Sequence, residues 1–136
     1  MASEASYKEV ARVRDIIERS YRHAREEEEV DSEALQLNPW EIIIVTSGSG
    51  EYVGIVTPAD ACRAGRGAKY GSIARRDYPL IDPDTSILKA LEIMAITNTT
   101  TLPVVESGRV AGVVTLFGIY RWLSEALEVE ELYTAG

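Results

Sequence analysis

The chain has 136 residues, 46% apolar and 26% charged, which suits one compact domain or two small halves sharing a core, and not a disordered polymer. Its 22 acidic residues against 14 basic give a net charge of -8, which argues against a nucleic-acid binder, since such proteins need a basic surface to displace counterions. A single cysteine, Cys62, and a single histidine, His23, exclude an internal disulfide, a cysteine-based zinc site and a two-histidine metal centre, and argue against a Ser–His triad.

In chain order, the N-terminal stretch lacks an apolar signal core, and runs such as Ile42 to Val45 fall far short of the roughly 20 residues a membrane helix needs. A cytoplasmic protein with no membrane span is therefore expected. From about Tyr7 to Glu29 the pattern predicts one strongly polar helix, with Val10, Val13, Ile16, Ile17 and Tyr21 as its apolar stripe. His23 lies on that helix as a solvated side chain, and the run Glu26 to Glu29 points around it, so it makes no cation site. Asp31-Ser32-Glu33 starts a short helix through Leu35 and Leu37, stopped by Asn38-Pro39.

Ile42 to Val45, the turn Ser47 to Gly50 and Gly54 to Val56 read as a β-hairpin. A helix then begins at Thr57, with Pro58 in its first turn, and Cys62 is expected as a small core side chain. Tyr78 to Ile81 reads as a short edge strand, and Asp84 or Thr85 as the N-cap of a helix that Asn98 ends. Ile87, Leu88, Leu91, Met94 and Ala95 form its apolar face. A second hairpin, Leu102 to Val105 and Gly112 to Thr115 around Ser107-Gly108, feeds a last helix from about Phe117 to Leu127. Trp40 and Trp122 are read as packing or interface residues.

The chain repeats itself. Gly54-Ile55-Val56-Thr57 lies 58 residues before Gly112-Val113-Val114-Thr115, each strand following an apolar run and a turn. The second copy is a β-α-β-β-α unit. The first shows no equivalent of the opening strand and is shortened or rebuilt at its N-terminal end.

These residues carry a family resemblance. Asp82-Pro83-Asp84-Thr85-Ser86, Leu102-Pro103-Val104-Val105, the two Gly-x-x-Thr strand ends and Ile73-Ala74-Arg75-Arg76-Asp77 resemble a tandem pair of CBS domains (named for cystathionine β-synthase), the Bateman module, over roughly residues 40 to 127. The resemblance implies an α+β fold of small sheets packed on helices. An N-terminal helix plus the first, shortened repeat would occupy residues 1–71, and the second repeat 72–136. It also implies a regulatory module without enzymatic activity or required cofactor. Such a module would bind an adenosyl ligand (AMP, ADP, ATP, S-adenosylmethionine or NAD) in a cleft between the repeats. As partners, the family suggests a second copy of the chain and an effector protein. The aromatic and apolar content of the last helix (Ile119, Tyr120, Trp122, Leu123, Leu127) suits the former.

In the family motif the Asp of Gly-x-x-Thr-x-x-Asp accepts from the ribose hydroxyls and the Thr bonds ribose or phosphate, which assigns Thr57 and Asp60. A carboxylate's two acceptor oxygens match two vicinal hydroxyl donors. The same Thr-x-x-Asp is also a helix cap, and the two roles are compatible because the cap positions the side chains. Gly118 stands where the second copy needs its acid, so one principal site is expected per chain. Between Thr57 and Leu80, five basic residues face two acidic ones, a local +3. Of these, Arg75 and Arg76 lie at the connection bordering the cleft and are assigned to ligand phosphates. Ile43, Val45, Pro103 and Thr115 are weaker candidates for cleft lining, with Ile44 beside them. Two other classes compete: a dimerisation module whose clefts stay empty, and an enzyme subunit or nucleic-acid regulator supported only by the basic segment 63–76.

Overall fold

The computed structural model describes residues 11–135, with side chains through Leu127. An unbroken apolar run needs cover on both faces, and β2 (Ile43–Thr46) has it: all four residues are buried. Its Ile43 and Val45 point into the first-repeat core with Val56, Ala61 and Tyr70, whereas Ile44 points the other way, onto Ile55 and Val113. That second cluster joins the two repeats. β2 is central in a three-stranded sheet, antiparallel to β3 (Tyr52–Val56) and parallel to β1 (Arg22–Arg25). After β3, α1 (Pro58–Ala64) starts at the N-cap Thr57, has Pro58 in its first turn, and stops at Gly65, whose φ of +81° suits glycine. A single turn, α2 (Tyr70–Ile73), then leads to the connection between the repeats.

The second repeat places α3 (Ile87–Thr97) before the antiparallel pair β4 (Thr101–Glu106) and β5 (Arg109–Thr115), followed by α4 (Leu116–Ala135). Asn98 ends α3 in the left-handed conformation, as expected. The core of this repeat gathers Ile81, Ile87, Ala90, Met94, Leu102, Val104, Val114 and Ile119, with Val13 reaching in from the N-terminal segment.

Several expectations are corrected. Residues 11–29 are not a helix: they form a 3-10 turn (Val13–Asp15), an extended stretch and β1, while residues 7–10 lie outside the described part. Of the expected apolar stripe, Val13, Ile16 and Ile17 enter the second-repeat core and Tyr21 packs at the junction of the two repeats. Further along the same segment, Ala24 and Val30, outside that stripe, pack in the first-repeat core, a division no straight helix could serve. The opening strand of the first repeat therefore exists, as β1. What is missing is the helix between β1 and β2, replaced by a 3-10 turn (Ala34–Gln36).

Ser86, not Asp84 or Thr85, caps α3, its Oγ accepting from the Lys89 N–H at 3.0 Å; the Asp82 carboxylate holds the preceding turn through the Asp84 N–H. The inward face of α3 is Ile87, Ala90 and Met94, leaving Leu88 and Ala95 outside. Tyr78 to Leu80 form no strand, although Ile81 makes one parallel bridge to Val104. Cys62 is exposed on α1, not a core residue.

The repeats are tied by a reciprocal exchange of backbone. The segment preceding the first repeat pairs with the second repeat's sheet (Glu18 with Val113). The segment preceding the second repeat pairs with the first repeat's sheet (Arg75 with Ile55). Each bridge has two hydrogen bonds, of 2.8 and 2.9 Å at Glu18 and of 2.7 and 3.1 Å at Arg75. Both crossings run over a glycine: a Cβ at Gly112 would lie 2.5 Å from the Glu18 carbonyl oxygen, and one at Gly54 closer still to that of Arg75. Backbone atoms cannot yield as a flexible side chain can. Gly112→Ala and Gly54→Ala are each expected to lower stability by about 1–3 kcal/mol, and Gly48→Ala, which meets nothing, by under about 0.5 kcal/mol, as measured by denaturant unfolding.

Candidate functional site

Each crossing brings a linker side chain to the N-terminus of a helix in the other repeat. At the first, Thr57 Oγ1 accepts from the Asp60 N–H at 3.1 Å, which turns the Asp60 side chain back toward the crossing. There Arg75 grips it with two hydrogen bonds, Nε to Oδ2 at 2.7 Å and Nη2 to Oδ1 at 3.0 Å, and Arg63 adds a third to Oδ1 at 3.2 Å. Asp60 is 8% exposed. Its ion pair with Arg75, helped by Thr57 and opposed by burial, holds its pKa down at about 2.

Of the residues assigned from sequence, Thr57, Asp60 and Arg75 thus converge. Arg76 does not join them: it is exposed and donates to the Gly71 carbonyl at 3.3 Å. Ile43 and Val45 are core residues of the first repeat, Ile44 sits at the junction, and Pro103 is wholly buried in β4. Thr115 belongs to the other crossing.

That second crossing mirrors the first in backbone and reverses its chemistry. Thr115 Oγ1 accepts from the Gly118 N–H at 2.9 Å, as Thr57 does from Asp60, and donates to Glu18 Oε2 at 2.7 Å. Glu18 stands where Arg75 stands in the first crossing. Gly118 takes the place of Asp60, and a Cβ there would come within 3.2 Å of the Glu18 carboxylate. Two adjoining cavities of 410 and 590 Å³ share Glu18, Trp40, Thr101 and Thr115; the larger adds Phe117, Tyr120 and Arg121.

Glu18 and Trp40 were not singled out from the sequence as site residues. A signal for Glu18 was there: Ile16-x-x-Arg19-x-Tyr21 recurs 57 residues later as Ile73-x-x-Arg76-x-Tyr78, aligning Glu18 with Arg75. Trp40 carries no such signal, because the rebuilt stretch before β2 has no counterpart.

The Asp60 ion pair has a consequence in acid. Its folded pKa lies below the unfolded value near 4, so its contribution to stability is present above about pH 4 and lost as pH falls toward 2. Asp60→Asn should flatten the loss of stability in that window, and leave its slope between pH 5 and 7 unchanged, in urea melts across pH.

Residues 71–125 match the model of the CBS domain family. No curated protein matches the chain. Among solved structures, it is similar to a putative acetoin utilization protein (AcuB) from Vibrio cholerae, at 17% identity and a TM-score of 0.74, covering 90% of this chain and 96% of that one. The CBS domain pair of protein MJ0100, in complex with 5′-methylthioadenosine and S-adenosyl-L-methionine, is 22% identical with a TM-score of 0.69, covering 86% and 98%. The cytosolic domain of the Mg2+ channel MgtE, in complex with ATP, is 24% identical with a TM-score of 0.65; the match covers 74% of this chain and 44% of that one. No helix among the described residues is long and apolar enough to cross a membrane. The chain has the fold of a tandem CBS domain pair, and its second repeat matches the CBS family by sequence.

Proposed function

We propose that the chain is a regulatory module that binds an adenosine nucleotide or a related adenosyl compound between its repeats and carries out no reaction itself. The convergence of Thr57, Asp60 and Arg75 at a strand-to-helix junction carries this reading. Asp60 is ionised at any physiological pH and offers two acceptor oxygens to a ribose diol. Arg75 is half exposed, so a ligand phosphate can draw its guanidinium off Asp60 and free the carboxylate for the sugar. The adenosyl ligands in the MJ0100 and MgtE structures support the ligand class. The signal passes to a second copy or an effector protein. Leu127 on α4, and Leu88 and Ile96 on α3, leave apolar surface exposed for either.

A second reading, a dimerisation module whose clefts stay empty, is favoured by one observation: Asp60 already has both oxygens engaged by Arg75 and Arg63. Thermal shift and calorimetric titration with AMP, ADP, ATP, S-adenosylmethionine and NAD separate the two. A ligand at a hundred times its Kd should stabilise the fold by about 2.7 kcal/mol. Asp60→Ala should remove the shift of the phosphorylated ligands. Arg75→Ala with Arg76→Ala should weaken ADP and ATP by about 10–100-fold, with nearly all of the loss reproduced by Arg75→Ala alone. If no compound shifts the melting temperature at millimolar concentration, the empty-cleft reading holds.

A further inference from the structure

We propose that the second crossing is a binding site in its own right, with the Glu18 carboxylate as its diol acceptor. Its ligand is an adenosyl compound that is neutral or cationic, without a phosphate beside the ribose. The inference rests on the adenosyl reading and divides the two clefts between different classes of ligand.

The pseudo-twofold relation of the crossings makes the comparison direct. Both clefts keep the strand-end threonine and the helix N-terminus. In the first cleft the helix supplies the acid and the linker supplies the cation. In the second the helix supplies nothing, because Gly118 has no side chain, and the linker supplies the acid. The carboxylate has been moved, not lost: Glu18 Oε2 sits 3.2 Å from where a Cβ of residue 118 would be and is held there by the Thr115 hydroxyl at 2.7 Å. A Glu in place of Arg75's equivalent also removes the group that would meet a phosphate and puts a negative charge there. An anionic nucleotide is repelled where the first cleft attracts it.

The walls agree. Trp40, Phe117 and Tyr120 are 64%, 69% and 67% exposed around the larger cavity, so three aromatic rings stand beside one carboxylate. At the corresponding positions, 58 residues earlier, Phe117 and Tyr120 are replaced by Ala59 and Cys62. Aromatic faces stack on a base and also attract a cation such as a sulfonium or ammonium. Two cations also line these cavities: the Arg121 guanidinium lies over the Phe117 ring, 5.2 Å from its centre, which leaves Trp40 and Tyr120 as the free aromatic faces, and Arg22 contacts Glu41 at 3.5 Å and Glu33 at 3.6 Å.

The test titrates the Asp60→Ala protein, in which only the second cleft keeps its acid, with adenosine, S-adenosylmethionine and ADP. Adenosine and S-adenosylmethionine should still bind, with ADP at least tenfold weaker than S-adenosylmethionine. Glu18→Gln preserves an acceptor for the Thr115 hydroxyl, so its ligand-free melting temperature should stay within about 2 °C while affinity falls about tenfold. Glu18→Ala with Gly118→Asp, which returns the acid to the helix, should bind within about threefold of the parent. Glu18→Arg with Gly118→Asp, which copies the first cleft into the second, should reverse the preference toward ADP. Binding that Asp60→Ala abolishes and Glu18→Gln leaves untouched overturns this assignment and leaves the proposed function standing. Absence of binding by every compound to the wild-type protein overturns both.

Discussion

The structure depends on two places where one repeat's leading segment hydrogen-bonds to the other repeat's sheet across a glycine. Glu18 on Val113 and Arg75 on Ile55 each place a backbone within a distance that any Cβ would block. Everything functional follows from that closeness. Because the segment must run flat against β3 or β5, the bridging residue's own side chain, Arg75 or Glu18, is delivered to the start of the helix that follows that strand. The two side-chain junctions are therefore products of the exchange and not of either repeat alone. The same crossing fastens Val13, Ile16 and Ile17 into the second-repeat core, and Ile44, Ile55 and Val113 into the seam between the sheets.

The parts of this fold legible in the sequence were those whose pattern repeats or whose local chemistry is self-sufficient. Both hairpins, α3 and α4 are marked by apolar runs, turn residues and helix stops that work with near neighbours. The cap at Thr57 was equally plain, since Thr-Pro-x-Asp satisfies its own backbone donors. Residues 11–29 misled because Val13, Ile16, Ile17 and Tyr21 fall at helical spacing by coincidence. Their partners are strands far along the chain, and pairing with Val113 outweighs the modest propensity of a polar helix. Cys62 misled for a simpler reason: α1 buries only Pro58, Asp60 and Ala61, so its second turn is already at the surface.

The site shows the same division. Thr57 and Asp60 were recoverable because they lie three residues apart on one element, and Arg75 because the linker it occupies could be recognised. Glu18 was hidden in a stretch read as helix, where a glutamate among arginines and glutamates is unremarkable. Its meaning comes only from what lies across from it: a glycine where an acid should be. A net charge of -8 spread over the surface thus conceals two junctions of opposite character, one where arginines grip an aspartate and one where the Glu18 carboxylate stands among aromatic rings.

The exchange also sets the order in which the chain can assemble. Ile55 meets Arg75 within a short loop, so that crossing can close as soon as the first repeat has been synthesised. Glu18 must wait for Val113, most of the chain later, and until β5 emerges the residues around Val13 to Ile17 have no core to enter. During synthesis the first sheet forms early while the leading segment trails unpaired, exposing isoleucines that the finished protein covers. The second cleft, which takes its carboxylate from that segment, is the last feature to exist. A chain that stops short of β5 lacks Val113, and Ile44 and Ile55 on the first sheet lose the side chain that covers them.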